Sequence, residues 1–322
     1  MKRTWAKGSA WTAILAALAF SIPNARVTRA DRLPDAFLSR ETLAGSILID
    51  APPLFDAHLH QVNSLSLPEL LSLLRMAGMS GLVLLGPPPT DRSDVLAAEI
   101  QNASFIFPFV NVPIDPSTRR QAFNDETAGY IEQQLQSGSR RGIGEVSLRH
   151  RASPNLPGSA YPADGPVARQ VYDLAARYKV PVTVHVEREY SAELDRALEH
   201  NRNAIIIWAH MGDAQAALVR EMMRKHPNLY VDISSRNPYF RRGMPIADQS
   251  LTNDDGSLKS EWKSVFEEFA DRVLFGTDIG MDRDAVLDQV MNYYRSVMGQ
   301  LTRQAAEKIA YQNIRDLLKL DY

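Results

Sequence analysis

The stretch Leu54-Phe55-Asp56-Ala57-His58-Leu59-His60 combines a short apolar run with a polar side chain at every second position. Side chains along a β-strand alternate between its two faces, so we expect Asp56, His58 and His60 to share one face. Two imidazoles one step apart on one face can bind a single metal ion from adjacent positions. The stretch therefore predicts a buried strand that ends in part of a metal site.

Similar apolar runs recur along the chain and alternate with longer amphipathic segments. The strand candidates are Leu54–His60, Gly81–Gly86, Phe105–Val112, Gly142–Leu148, Val182–Glu187, Ala204–His210, Leu229–Ser234 and Val273–Ile279. The helix candidates are Pro68–Met76, Asp91–Asn102, Arg119–Gln136, Pro166–Tyr178, Ala192–His200, Asp213–Lys225 and Leu258–Phe269, with two or three more over Asp284–Leu318. Near-continuous apolar strands are typical of parallel sheets that are buried on both faces.

Repeated strand–helix units favour an α/β fold with a parallel sheet, and eight of them predict a closed (β/α)8 TIM barrel with extra C-terminal helices. An open doubly wound sheet is the alternative. We expect one barrel domain over residues 50–322, preceded by a short extension over residues 31–49.

Residues 1–30 have the pattern of a secretory signal peptide. Lys2, Arg3 and Lys7 precede an apolar run over Ala10–Ile22, which is followed by the small-x-small motif Thr28-Arg29-Ala30. This pattern predicts export and cleavage, and hence a periplasmic or secreted protein without stable membrane insertion. An uncleaved tethering segment is the alternative.

Composition restricts both the partners and the chemistry. The 36 basic and 38 acidic residues are well mixed and give a net charge of −2, so no basic stripe points to nucleic acid. The chain has no cysteine, which excludes a thiolate nucleophile and a Cys-ligated zinc. Any metal ion must be held by His, Asp and Glu side chains.

Three more polar residues end apolar strands, namely His185, His210 and Asp278. The carboxyl ends of barrel strands share one face, so these side chains are expected to converge with His58 and His60 on a common ion. Glu145, within Gly142-Ile143-Gly144-Glu145, is a further candidate ligand on strand four; a salt bridge to Arg149 is its alternative.

The other three histidines have less specific contexts. His200 and His226 are expected at helix C-termini, where imidazoles suit the helix dipole. His150 is assigned to the loop that follows strand four on the catalytic face, and its role is left open.

Two long connections also follow strands on that face, Arg149–Gly165 and Ser235–Ser257. The second carries Arg236, Arg241 and Arg242 together with Tyr239 and Phe240. Guanidinium groups bind carboxylates and phosphates bidentately, so we predict that Arg149, Arg236 and Tyr239 contact a small anionic substrate. A solvated loop with aromatic anchors is the alternative.

Asp-x-His-x-His on strand one, Glu on strand four, His on strands five and six and Asp on strand eight together resemble the amidohydrolase superfamily. The chain is most similar to its amidohydrolase-related metal-dependent hydrolases, which include TatD-like and decarboxylase-like branches. The stretches Ile207–Gly212, Leu229–Ser234 and Val273–Asp278 resemble the late strands of that family, and Ala306–Asn313 resembles its terminal helix.

The resemblance implies one or two divalent ions, zinc in the first place, with manganese, iron or nickel as alternatives. His58, His60 and Asp278 would bind one ion, His185 and His210 the second, and Glu145 would bridge where many members carry a carboxylated lysine. Asp278 would also accept the proton of the attacking water. In a one-ion version the ligands are His58, His60, His185 and Asp278, and His210 serves as the acid–base residue.

The expected function is hydrolysis of a carboxylic ester, lactone, amide or phosphoester in a small-molecule substrate. A metal-dependent non-oxidative decarboxylase on the same scaffold is the alternative. A TatD-like nuclease is disfavoured because the chain lacks a basic groove and its signal pattern predicts export. A non-catalytic binding protein is disfavoured because every expected ligand position is filled.

Overall fold

The computed structural model describes residues 52–60, 65–85, 99–118, 120–152, 158–241, 250–280 and 283–320. They belong to one compact unit, Ala51–Tyr322. The predicted signal peptide over residues 1–30, the extension over 31–49 and most of the predicted helix Asp91–Asn102 lie outside the described residues.

Eight parallel strands form the centre of the fold. They are β1 (Leu54–His60), β2 (Met79–Leu85), β3 (Ile106–Val110), β4 (Gly142–His150), β5 (Val182–Val186), β6 (Ile206–Trp208), β7 (Leu229–Asp232) and β8 (Val273–Leu274). Each strand pairs with the next along the chain. The segment after β8 returns to β1, since the amides of Ala57 and His60 donate to the carbonyls of Phe275 and Ile279 at 2.9 and 2.8 Å. The nearly closed barrel confirms the predicted fold class.

Helices follow the strands and cover the barrel. They are α1 (Leu67–Met76), α2 (Thr127–Gln136), α3 (Pro166–Tyr178), α4 (Ser191–His200), α5 (Ala216–Lys225), α6 (Ser260–Glu268), α7 (Leu287–Met298), α8 (Arg303–Glu307) and α9 (Asn313–Leu317). A short π-helix, Lys308–Gln312, joins α8 to α9. Within the described ranges, no helix has both the length and the apolar character needed to span a bilayer.

The two faces of the strands build separate cores. Ile106, Val110 and Val112 belong to a large cluster that includes the helices, so this is the outer face of the barrel. The alternate residues Phe107 and Phe109 belong to a smaller cluster, which also contains the following residues of the other strands: Phe55, Ala57, Val83, Leu85, Ile207 and Leu274. Because this second cluster takes the opposite face of β3 from the first, it fills the barrel interior. On β1 the alternation of the two faces is interrupted by a register shift between Asp56 and Leu59.

Three elements differ clearly from their predicted bounds. The predicted helix Arg119–Gln136 begins only at Thr127, because Arg120–Gln121 instead pairs as a short antiparallel strand with Ile114–Asp115. Strands six and eight stop before the predicted ends, at Trp208 and Leu274, and the chain adopts left-handed backbone further on, at His210 (φ 56°) and Asp278 (φ 58°). Apolar patterns cannot show such turns, which depend on backbone geometry rather than on hydrophobicity.

Candidate metal centre

The predicted ligands meet at the carboxyl ends of the strands. Three overlapping groups of residues place their donor atoms close together, and within each group these atoms lie within 4.8 Å of one another. The groups are His58 with His210 and Asp278, His58 with His60 and Glu145, and Glu145 with His185 and His210. Together the groups contain all six metal ligands predicted from the sequence. The structure therefore brings the predicted set into one cluster.

One half of the cluster is formed by β1 and the end of β8. The Nε2 atoms of His58 and His60 lie 3.1 Å apart. Asp278 Oδ1 lies 3.8 and 3.6 Å from these nitrogens. Glu145 Oε2 approaches the same two nitrogens at 3.8 and 3.4 Å. Two imidazole nitrogens thus lie within 4 Å of an oxygen from each of two carboxylates.

The other half uses the second oxygen of the same carboxylate. Glu145 Oε1 lies 2.9 Å from His185 Nδ1 and 3.7 Å from His210 Nε2. Each oxygen of Glu145 therefore faces a different pair of imidazoles. The alternative partner of Glu145, Arg149, is paired with Glu193 instead, at 2.7 Å.

The outer nitrogens of three imidazoles are held by hydrogen-bond acceptors. His60 Nδ1 donates to the carbonyl of Leu85 at 2.7 Å, and His58 Nδ1 donates to Asp232 Oδ2 at 3.0 Å. The Ser234 hydroxyl donates its hydrogen to Asp232 and therefore acts as the acceptor toward His210 Nδ1, which lies 2.7 Å away. In the neutral imidazoles the Nε2 lone pairs then point into the cluster. A group of nitrogen lone pairs and carboxylate oxygens fits a divalent cation, and mixed His and carboxylate ligands suit zinc, manganese or iron.

Asp232, at the end of β7, is a functional residue that sequence reasoning missed. Its side chain is fully buried; one carboxylate oxygen accepts from His58, and the other accepts from the amide of His210 at 3.1 Å and from Ser234. It therefore fixes ligands from both halves of the cluster. A buried Asp in the apolar stretch Leu229–Ser234 was the available signal, since an unpaired buried carboxylate is strongly unfavourable.

His210 lies in a left-handed turn after β6 rather than on the strand. His210, Met211 and Gly212 have φ values of 56°, 54° and 60°. The turn packs on Trp208, whose ring would lie 2.1 Å from a Cβ atom at position 212. Glycine at this position thus permits the turn that brings His210 to the cluster.

Asp278 lies in a comparable turn after β8. Its Oδ2 atom accepts a hydrogen bond from the Ser235 hydroxyl at 2.9 Å, which leaves Oδ1 facing the cluster. Asp56, the first residue of the strand-one motif, forms its hydrogen bonds outside the group of predicted ligands. Its carboxylate accepts from the Thr277 hydroxyl at 2.5 Å and from the His58 backbone amide at 2.9 Å. Asp56 therefore ties β1 to the segment that carries Asp278.

The charges in the cluster are mutually dependent. Burial by itself lowers the pKa of His58, but Asp232, Glu145 and Asp278 raise it to about 9. Burial likewise opposes the charge of His185, yet hydrogen bonds to Glu145 and Glu187 raise its pKa to about 10. Burial disfavours ionisation of Glu145, but hydrogen bonds from His185 and His60 hold its pKa well below the usual range. A cation that binds here must displace protons from the imidazoles.

Two more residues adjoin His185. His150 belongs to β4 and not to a loop as predicted; its ring lies 4.3 Å from that of His185, and its Nδ1 atom is buried without a partner. Burial, assisted by His185, lowers the pKa of His150 to about 4, so its ring is neutral. Glu187, which the sequence analysis missed, is 5% exposed and accepts from the Arg151 amide at 2.8 Å.

The predicted substrate-binding residues are engaged within the protein. Arg149 forms its ion pair with Glu193 and also donates to the carbonyl of Ala160 at 2.6 Å. Arg236 is 2% exposed and donates to the carbonyls of His210 and Ala214 at 3.3 and 3.0 Å. Tyr239 packs edge-on against Tyr293. A role in substrate binding stays a prediction for all three.

His200 and His226 lie away from the cluster at helix C-termini, as predicted. His200 is the last residue of α4 and pairs with Asp173 at 3.1 Å. His226 caps α5 and pairs with Asp195 at 2.6 Å. The loop residue Arg242 lies outside the described residues, as does the side chain of Arg241.

Comparison with known structures agrees with the architecture. An uncharacterised TIM-barrel protein of Bordetella bronchiseptica superposes with a TM-score of 0.60 at 15% identity, covering 83% of this chain and 98% of the other. A probable 2-pyrone-4,6-dicarboxylic acid hydrolase of Acinetobacter baumannii with bound citric acid gives 0.55 at 14% identity, covering 83% and 99%. A dihydroxybenzoic acid decarboxylase of Polaromonas sp. JS666, with bound manganese and the inhibitor 2-nitroresorcinol, gives 0.51 at 13% identity, covering 83% and 97%.

The sequence itself identifies the family. No curated protein matches the chain significantly. The model of the amidohydrolase family (Amidohydro_2), in contrast, matches residues 57–320, which include all six residues of the cluster. The superfamily resemblance inferred from the strand motifs is confirmed. This chain belongs to the amidohydrolase family and is an enzyme of the amidohydrolase superfamily.

Proposed function

We propose that the protein is a two-metal hydrolase, preferably zinc-dependent, that cleaves a carboxylic ester, lactone, amide or phosphoester bond in a small molecule. The supporting observation is the position of Glu145, whose two oxygens face two different pairs of histidines. A carboxylate in that position can bridge two ions. His58, His60 and Asp278 would hold one ion, and His185 and His210 the other.

A one-ion decarboxylase is the alternative function. It requires His185 to act with His58, His60 and Asp278 while His210 is free. In the structure His185 Nδ1 lies 2.9 Å from Glu145, and the described cluster groups His185 with Glu145 and His210. His210 groups with Asp278 as well as with His185, so it acts as a ligand shared by the two halves.

A bound divalent ion supplies Lewis acidity, which lowers the pKa of a coordinated water and polarises the scissile carbonyl or phosphoryl group. The protein supplies the proton acceptor. Ser235 holds Asp278 by Oδ2, so Oδ1 is directed toward the cluster and can take a proton from the attacking water. The same oxygen can then return the proton to the leaving group. His150, neutral and next to His185, lines the site without adding charge.

Isotope labelling distinguishes hydrolysis from decarboxylation. Zinc-loaded protein is incubated in H₂¹⁸O and D₂O with lactones, esters, amides, phosphoesters and aromatic carboxylic acids. Hydrolysis places one solvent oxygen in the product, whereas decarboxylation releases CO₂ and places solvent deuterium on carbon. We expect ¹⁸O incorporation that is lost in Asp278→Asn and retained in the exposed control Asp255→Asn. Deuterium on carbon without ¹⁸O would contradict the proposal and assign the decarboxylase instead.

A further inference from the structure

Asn111 follows β3 at the carboxyl end of the barrel strands. It is 5% exposed. Its neighbours Val110 and Val112 belong to the outer core, whereas Phe107 and Phe109 belong to the inner one. Because inward and outward residues alternate along a strand, the side chain of Asn111 faces the barrel interior, one step above Phe109.

The register of the strands sets the height of Asn111. Val110 pairs with Ile143, so Asn111 lies beside Gly144. Glu145 is the next residue along β4. Asn111 therefore lies next to the part of β4 that carries Glu145.

The amide of Asn111 has an unused donor. Its Nδ2 atom is buried and has no hydrogen-bond partner. Asn228 shows the contrast: it is buried as well, at 8% exposure, and its Nδ2 donates to the carbonyls of Leu198, Asn201 and Ala204. A buried donor without an acceptor destabilises a fold, and native proteins keep such groups mainly where a ligand or water supplies the acceptor.

We propose that Asn111 is a substrate-binding residue whose Nδ2 atom donates to a carbonyl or carboxylate oxygen of the bound compound. This inference rests on the proposed function, because it places an acceptor oxygen of the substrate beside the part of β4 that carries Glu145. The amide is uncharged, so it orients an oxygen without neutralising a negative charge. Arg149 and Arg236, by comparison, already donate to acceptors within the protein.

The test compares Asn111→Leu with the matched control Asn228→Leu in the zinc-loaded full chain. Each variant replaces a buried amide by an apolar side chain of similar volume. Zinc content, the Tm without ligand and calorimetric binding of benzoate and benzamide are measured. Benzoate reports a carboxylate acceptor and benzamide reports a neutral carbonyl.

For Asn111→Leu we expect unchanged zinc content, a Tm equal to or above that of the wild type, and an affinity about tenfold weaker for whichever probe binds. For Asn228→Leu we expect a lower Tm and unchanged affinity. The inference is overturned if the wild type binds neither probe, or if zinc-loaded Asn111→Leu keeps wild-type affinity. Absence of bound zinc in the wild type would instead contradict the proposed function and remove the basis of the inference.

Discussion

At the scale of single residues, the members of the cluster were predictable and the residues that hold them in place were not. His58, His60, His185, His210 and Asp278 stand out because a polar group that ends an apolar strand needs a partner. Asp232 also ends a strand, but the sequence does not show that its two oxygens connect His58 to the amide of His210. Asn111 gave no signal, because its position beside β4 depends on the register of the strands. Such contacts arise between strands that are distant in sequence.

Asp232→Asn tests the support of the ligands. Asparagine keeps one acceptor oxygen, so its amide nitrogen must face either His58 Nδ1 or the backbone amide of His210 and the Ser234 hydroxyl, and the hydrogen bonds on that side are lost. We expect the affinity for zinc to fall by about 10- to 100-fold, measured by competition with a chromogenic chelator. Asp195→Asn, which removes the partner of His226 outside the cluster, should keep wild-type affinity. Equal affinities in both variants would contradict the role of Asp232.

The raised pKa values predict how zinc binding depends on pH. His58, with a pKa of about 9, and His185, with a pKa of about 10, carry protons at neutral pH that an ion must displace. The apparent affinity should therefore rise with pH up to about 9, by about tenfold per pH unit for each proton displaced. Calorimetry in buffers of different protonation enthalpy counts the released protons. Binding without proton release would show that the imidazoles are already neutral.

At the scale of elements, hydrophobic patterns located the strands but not the turns that follow them. The apolar run Ala204–His210 includes only three residues of strand, because the chain turns left-handed at His210. The predicted helix over Arg119–Gln136 begins late for a related reason, since Arg120–Gln121 pairs with Ile114–Asp115. Hydrophobic periodicity therefore gave the order of the elements, and local backbone geometry decided their ends.

Gly212→Ala tests whether the turn after β6 delivers His210. A Cβ atom at this position would lie 2.1 Å from the Trp208 ring, on backbone with a φ of +60°. We expect the turn to shift, the bound zinc to fall from two ions toward one, and the Tm to decrease, because such strain costs about 1–3 kcal/mol. Gly256→Ala is the control, since Gly256 also has a positive φ of +81° but nothing within 4 Å of an added Cβ. A Gly212→Ala protein that keeps full metal content would contradict this role.

At the scale of the whole molecule, the fold class followed from the sequence because eight buried strands alternate with helices. The cluster takes ligands from β1, β4, β5 and the ends of β6 and β8, so bound ions connect strands around much of the barrel. Binding to the folded state alone stabilises it by about 4 kcal/mol at a thousand times Kd. We therefore expect chelation to lower the Tm of the wild type, measured by calorimetry. Chelation should lower the Tm of His58→Ala much less than that of the wild type. An equal fall in both proteins would show that the stabilising ions bind outside the cluster.

The most direct test of the two-metal site is the metal content per chain, measured by elemental analysis of protein purified without chelator or metal-affinity resin. The position of Glu145 between two pairs of histidines predicts two divalent ions per chain, and fewer in Glu145→Ala. One ion in the wild type, unchanged in Glu145→Ala, would contradict a bridging Glu145 and the two-metal mechanism.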